Sequence, residues 1–331
     1  MVPFNYLIAK DEGEASVLSG RNFKSKFIAG GTNLIDLMKE NVSKPDTVID
    51  INKINSLKSI TVLADGGLRL GALAKNADTA YDSRVQEKYP LLSEAILAGA
   101  SAQLRNMASN GGNLLQRTRC YYFYDTATPC NKREPGTGCS ALGGYNRIHA
   151  ILGASKNCIA VFPSDMCVAL SALNAKINIQ GINCSRLIEF ADFHRLPGDT
   201  PELDNHLQHG ELITSIDLPG ERFDLHYSYL KLRDRTSYAF ALVSVATAFK
   251  IEDGLIIDAR LALGGVAPKP WRKIEVEDFL KGKAPNVQTF SEAAKIILHE
   301  AKGFKHNSFK IELAKRAIIR NCLTAANKNK G

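Results

Sequence analysis

The sequence predicts an α+β protein in several packed regions, and three observations carry that prediction. Near the start, a short apolar strand runs through a glycine turn into a helix and on to a second buried strand. Further on, two long apolar strands are joined at Asp253 and Gly254, a hairpin signal. Two segments of helical period then close the chain. Its 331 residues suit two or three domains and can bury a large core without disulfide staples.

Three regions are expected: 1–58, 59–220 and 221–331. In the first, "KFIA" (Lys26 to Ala29) reads as a strand and "GGTN" as a turn. "LIDLMKE" places Leu34, Leu37 and Met38 at helical spacing, and "DTVIDIN" is a second strand. In the second region, "GGLRLGALA" reads as a strand and "PLLSEAILAGASAQLRNMAS" starts as a helix that Gly99 interrupts or ends. "PSDMCVALSALNAK" is a helix with Ser164 as its N-cap, and "AKINIQGI" and "ELITSIDLP" are strands. In the third, "YSYLKLRDR" alternates like a strand ahead of the long hairpin. "FSEAAKIILHEAK" and "SFKIELAKRAIIRNCLTAA" are helices expected to cover an antiparallel sheet.

Composition narrows the function. A content of 45% hydrophobic and 23% charged residues suits a soluble globular protein, and no run of about 18 apolar residues predicts a membrane span. The net charge is +8, but the lysines are spread along the chain and only a short "NKNKG" tail is basic. That disfavours nucleic acid and fits solvated surface charge or docking on an acidic partner. The start, "MVPFNYLIAKDEGEASV", lacks a basic segment followed by an apolar stretch and a cleavage site. Folding in a reducing compartment is therefore expected, where clustered cysteines are more often ligands or catalytic groups than bridges. Export as a partner's passenger is compatible with this.

"FIAGGTNL" joins a strand directly to a helix, where backbone amides and the positive end of a helix dipole converge; a pyrophosphate suits such a place. A side chain at Gly30 or Gly31 would hold phosphates away from the amides, and the turn itself calls for positive φ. "RNMASNGGNLLQ" repeats the theme with Ser109, Asn110, Gly111, Gly112 and Asn113, and two such loops can grip two ends of a dinucleotide. Neither matches G-x-G-x-x-G, and no acidic residue follows the first at ribose-clamp distance, so an ordinary NAD site is disfavoured.

Cys120, Cys130, Cys139 and Cys158 are separated by nine, eight and eighteen residues in a turn-rich segment. No C-x-x-C knuckle is present, as zinc sites usually require. Four thiolates on long loops can surround a cubane 4Fe-4S cluster, each ligating one iron. Zinc with His149, and plain unligated thiols, stay open on spacing alone. Cys167 is an alternative fourth ligand, but its apolar helix suggests a packed thiol; Cys184 and Cys322 read as structural.

Together, "FIAGGTNLIDLM", "LRNMASNGGNL", "FPSDM", "ELITSIDLP", "YLKLRDRTSYAFALVSVA" and "LALGGVAPKPWR" resemble, in order and over almost the whole chain, the FAD-binding medium subunit of the molybdenum hydroxylase (xanthine dehydrogenase) family. The cysteine segment, about 117–160, resembles the 4Fe-4S insert of flavin subunits of periplasmic aldehyde oxidoreductase and of 4-hydroxybenzoyl-CoA reductase, the former more closely. The resemblance implies a vanillyl-alcohol-oxidase-type flavin domain of two α/β subdomains followed by a small α+β C-terminal domain. It implies that Lys26, Phe27, Ile28, Ala29, Gly30, Gly31, Thr32, Asn33 and Leu34 meet the FAD pyrophosphate and that Ser109, Asn110, Gly111, Gly112 and Asn113 form the second loop. Asp165 would be a polar contact to the cofactor, Ile213 a residue near its adenine side and Lys231 a basic residue close to the flavin. Read without the family, these three are a helix cap, a core residue and a solvated lysine. Cys120, Cys130, Cys139 and Cys158 match the cluster ligands, and Cys167 falls where alanine is expected.

The resemblance further implies a heterotrimer with a large molybdenum-cofactor subunit and a small 2Fe-2S subunit. An aldehyde would be oxidised on the large subunit, and electrons would pass through the 2Fe-2S centres and this chain's FAD to an external acceptor. No residue of this chain need touch the substrate. By the same likeness the complex is periplasmic, with the cytoplasm as the alternative. The rival expectations are a 4-hydroxybenzoyl-CoA reductase-type or xanthine dehydrogenase-type subunit, a free-standing flavin oxidase, or a cysteine-ligated metal-binding interaction protein without flavin.

Overall fold

Three sheets organise the chain in the computed structural model, which describes residues 1–328; the end of the basic tail, 329–331, lies outside them. The first sheet holds β1 (Asn5–Ile8), β2 (Ser25–Ile28) and β3 (Thr47–Asp50), all parallel, with β3 in the centre. Parallel neighbours need crossovers, and these carry α1 (Glu12–Gly20) and α2 (Leu34–Lys39). Asp11 caps α1 by accepting a hydrogen bond from the Glu14 amide at 2.7 Å. The central position of β3 explains why Thr47, Val48 and Ile49 are buried while every residue of β1 is exposed.

The second sheet is antiparallel. It contains β4 (Ile60–Val62), β5 (Leu68–Gly71), β6 (Lys176–Gln180), β7 (Ser185–Glu189) and β8 (Leu212–Leu218), in the order β4-β5-β8-β6-β7. Between β5 and β6 the chain forms α3 (Pro90–Ala98), α4 (Asn110–Leu114) and α5 (Asp165–Ala172). Gly99 ends α3 in extended backbone, and Ser101 caps a new short turn, Ala102–Arg105. Ser164 caps α5 as expected, its Oγ accepting from the Cys167 amide at 3.0 Å. All eight residues of α5 are buried because it packs between this sheet and the next, against Ala246, Ala248 and Ala262. Small residues there let the helix approach the sheet.

The third sheet runs β12-β11-β10-β9, antiparallel: β9 (His226–Leu232), β10 (Val243–Glu252), β11 (Leu255–Gly264) and β12 (Trp271–Arg272). The β10–β11 turn uses positive φ at both Asp253 (48°) and Gly254 (74°), the pairing that the sequence signals. Helices α6 (Ile274–Leu280), α7 (Val287–Ile297) and α8 (Phe309–Ala326) join a core with this sheet, with the Phe249 and Phe290 rings stacked 5.6 Å apart. The chain is thus α+β, and among the described residues no helix is long and apolar enough to cross a membrane.

The cysteine segment is largely loop, broken only by single turns at Tyr121–Tyr124 and Ser140–Gly143. It is tied down by buried polar groups. Asn307 donates to the carbonyls of His149 and Ala150, and Lys310 Nζ donates to those of His149 (2.8 Å) and Gly265 (2.6 Å). Lys310 is fully buried, and burial followed by the charge of Arg147 lowers its pKa to about 7. An unfolded lysine therefore holds its proton at pH values where the folded one begins to lose it, so this residue makes stability rise with pH from about 7 upward. Its carbonyl acceptors favour the ammonium and moderate the effect. In urea titrations, Lys310→Met should remove about 1–2 kcal/mol of the stability difference between pH 7 and pH 9.

Candidate cofactor site

The two glycine loops meet at one cavity of about 580 Å³, a size ordinary for small-molecule sites. Residues 26–34 all line it, together with Ser109, Gly111, Gly112 and Ile213. Strand β2 delivers the first loop to the start of α2, whose first bond runs from the Ile35 amide to the Gly31 carbonyl at 3.1 Å. The amides of Thr32, Asn33 and Leu34 are thereby left without intrahelical partners. Asn33 Oδ1 accepts from the Arg117 amide, while its Nδ2 is buried with no partner among the described residues. Ser109 caps α4 at the second loop.

Both glycines of the first loop are required, for different reasons. Gly31 has φ +72°, which a side chain resists. Gly30 does not; a Cβ there would stand 1.9 Å from the Met107 carbonyl oxygen, so the two loops touch through it. Gly111 likewise packs on Ala72, where a Cβ would come within 3.0 Å. Ile213 reaches the cavity through a bulge: Ile179 pairs with Ile213 and Asn178 with Ser215, and Thr214 instead accepts from the Ala72 amide.

The remaining residues expected at the cofactor lie behind or beside this cavity. Asn110 is buried among Asn76, Thr79 and the Gly71 carbonyl. Asn113 donates to Asn76 and accepts from Ser164 Oγ at 2.6 Å, linking the second loop to α5. Asp165 accepts from Lys231 Nζ and from the Tyr229 hydroxyl, each at 2.7 Å. The side chains of Lys231 and Asp165 are almost fully buried, so Lys231 is a paired interior lysine and not a solvated one. Asp165 borders a second cavity of about 260 Å³, walled also by Arg119, Tyr121, Phe240 and Ser244.

The cysteine segment packs against the larger cavity. Phe123 lines that cavity and also a small space of about 10 Å³ bounded by Cys120, Cys130, Cys139 and Cys158. All four are free thiols. Burial pushes Cys120 up to about 12 and Cys158 to about 11, so metal ligation must expel protons. His149 Nε2 lies 3.1 Å from Cys120 Sγ; burial, then the charge of Lys310, lowers this histidine to about 4 and keeps it neutral. Among the described residues no three His, Cys, Asp or Glu side chains are set to hold a single metal ion. Cys167 and Cys322 are buried in other cores, and Cys184, read as structural, is exposed in the β6–β7 turn.

Comparison with known proteins places this geometry. Residues 2–221 match the FAD binding domain in molybdopterin dehydrogenase, and residues 227–324 match the CO dehydrogenase flavoprotein C-terminal domain. The chain is 48% identical over 319 residues to the aldehyde oxidoreductase FAD-binding subunit PaoB of Escherichia coli K12, covering 96% of each. The chain belongs to the FAD-binding medium subunits of the molybdenum hydroxylase family. It is an oxidoreductase subunit, and FAD is its family's cofactor. A glyceraldehyde dehydrogenase medium chain of Sulfolobus acidocaldarius is 30% identical over 283 residues, 86% of this chain and 83% of that one. The carbon monoxide dehydrogenase structure from Hydrogenophaga pseudoflava shares the fold over the full length of both chains, with TM-score 0.78 at 24% identity.

The sequence did not reveal the rest of the cavity wall, to which residues 202–205 and 207–212, Arg117 and Phe123 contribute beside the expected Lys26 and Ile213. Burial and then Arg117 lower the Lys26 pKa, with Asp204 opposing. Asp204 sits in "PELDNH", a loop with no motif, and only the fold brings it to Arg117. Gly30→Ala should drive the two loops apart and lower the flavin bound per purified chain severalfold. Gly143→Ala, whose Cβ would meet nothing within 4 Å, should leave it unchanged; flavin released by heat and measured by absorbance checks both.

Proposed function

We propose that the chain is the FAD- and 4Fe-4S-binding electron-transfer subunit of a molybdenum-containing aldehyde oxidoreductase. In this reading it assembles with a large molybdenum-cofactor subunit and a small 2Fe-2S subunit. The observation that carries the flavin half is the single cavity formed by residues 26–34, Ser109, Gly111, Gly112 and Ile213. Free helix-start amides and the cation of Lys26 suit the anionic diphosphate of a dinucleotide there. The unpartnered Asn33 Nδ2 offers a further donor. Bound flavin exchanges electrons singly with iron–sulfur centres and singly or in pairs with other acceptors.

The cluster half rests on donor chemistry. Four cysteines from well-separated loop positions line one space, none is oxidised to a disulfide, and each can supply one thiolate. Because that space is small, loading requires these side chains to move apart. The aldehyde assignment rests on the relatives: one is named an aldehyde oxidoreductase subunit and another a glyceraldehyde dehydrogenase chain. A periplasmic location belongs to the same reading, and fractionation of cells tests it.

Flavin, iron, sulfide and zinc quantified in the anaerobically purified chain, separated from its iron–sulfur partner, decide between a cluster and a zinc site. About one FAD with about four iron and four sulfide per chain is expected; zinc without flavin would overturn the reading. Serine at Cys120, Cys130, Cys139 or Cys158 should abolish the iron held by this chain, whereas Cys167→Ala should leave it intact, since Cys167 lies in the α5 core.

A further inference from the structure

Resting on that reading of the dinucleotide cavity and the thiol space, one half-buried ionic bridge spans the wall between them. Asp204 belongs to the 202–213 segment that closes the larger cavity, and it accepts from Lys132 Nζ at 2.5 Å. On its other side it pairs with the Arg117 guanidinium. Lys132 is almost fully buried, and its residue lines the thiol space; its Nζ donates a second bond, to the Pro201 carbonyl at 2.6 Å. Arg117 lines the larger cavity, places its guanidinium 4.9 Å from the Phe123 ring centre and donates to the Lys132 carbonyl. Phe123 is the residue common to both walls.

A buried cation such as Lys132 is costly to leave unpaired, and the half-buried Asp204 carboxylate is its ionic partner. Burial alone would raise the Asp204 pKa, but Arg117 and Lys132 hold it below the usual carboxylate range. The carboxylate is therefore charged, and both cations are tied to it. Lys132 stands two residues beyond Cys130 and follows that loop, whereas Asp204 follows the loop over the dinucleotide cavity. The Arg195 amide donates to the Asp204 carbonyl at 2.9 Å and anchors that second loop to the protein body.

We infer that the Lys132–Asp204–Arg117 bridge transmits the state of the thiol site to the dinucleotide cavity, so that an ordered, metal-loaded insert holds the 202–213 segment closed over FAD. Asp204 is a positioning residue in this scheme: it acts through its two cations and through the loop that carries it. The insert then has a second role besides any electron transfer, as a clamp on flavin. No step of this scheme oxidises or reduces anything.

The test is FAD release from the purified holo-complex, followed as the rise of free-flavin fluorescence after dilution, with iron per chain measured in parallel. Asp204→Asn should release FAD about tenfold faster, corresponding to about 1.4 kcal/mol, with iron unchanged because Asp204 does not line the thiol space. Asp204→Glu, which keeps the charge, should recover part of the retention. Cys130→Ser, which removes the cluster, should also speed release, but should add less than about twofold in an Asp204→Asn background if both act through one bridge. Equal acceleration by Cys130→Ser in both backgrounds, or unaltered release in Asp204→Asn, would overturn the inference while leaving the cofactor assignment standing. An unsubstituted complex lacking flavin, or whose medium chain holds no iron once separated from its iron–sulfur partner, would overturn the assignment and the inference together.

Discussion

The site depends on the contact between two loops from different parts of the fold, at a distance that only glycine permits. Gly30 ends the run out of β2, and the Met107 carbonyl lies where its Cβ would be, 1.9 Å away. Because that contact is backbone on backbone, no rotamer change can relieve a substitution there. From it follow the positions of the α2 and α4 starts on one cavity and the entry of Ile213 through the β8 bulge. The first sheet, the second sheet and the helical segment between β5 and β6 are thus held in register around a place for a dinucleotide.

The cysteine segment adds a second centre without a scaffold of its own. It is mostly loop, and its order comes from outside: Lys310 and Asn307 of the C-terminal region fasten its far end, while Arg133 fastens it internally on the carbonyls of Tyr122 and Phe123. Irregular backbone can be buried only when its polar groups are paired, and these cationic and amide donors do that. The segment shares Phe123 and Leu37 with the neighbouring cavity wall. The thiol site and the dinucleotide cavity are therefore parts of one packed unit.

Much of this was legible in the residues, though not always for the reason they suggest. A glycine pair between an apolar strand and an amphipathic helix marks a tight junction, and positive φ at Gly31 bears that out. Gly30, however, answers to a neighbouring carbonyl, which no local pattern encodes. The Asp253–Gly254 hairpin and the closing helices were readable because turn chemistry and helical period are local signals. Strand β1 and helix α1 went unread: β1 has four residues, all exposed on an edge, and so lacks the alternation that reveals a strand. Helix α6 is a short segment rich in acidic residues, and its period spans barely two turns. Cysteine spacing left three readings open because no C-x-x-C fixes a metal knuckle, and the choice among them came from resemblance. Asp204 and Lys132 look like ordinary surface charges in the chain; only tertiary folding buries Lys132 and brings it to Asp204.

In the proposed arrangement one wall divides a flavin site from an iron–sulfur site at the thiol space. Diffraction from crystals of the assembled complex, recorded on both sides of the iron absorption edge, tests this. The expected result is a compact iron peak among Cys120, Cys130, Cys139 and Cys158, with dinucleotide density against Gly30, Gly31 and Ser109 across Phe123. Zinc at the cysteines, or dinucleotide density elsewhere than this cavity, would contradict it.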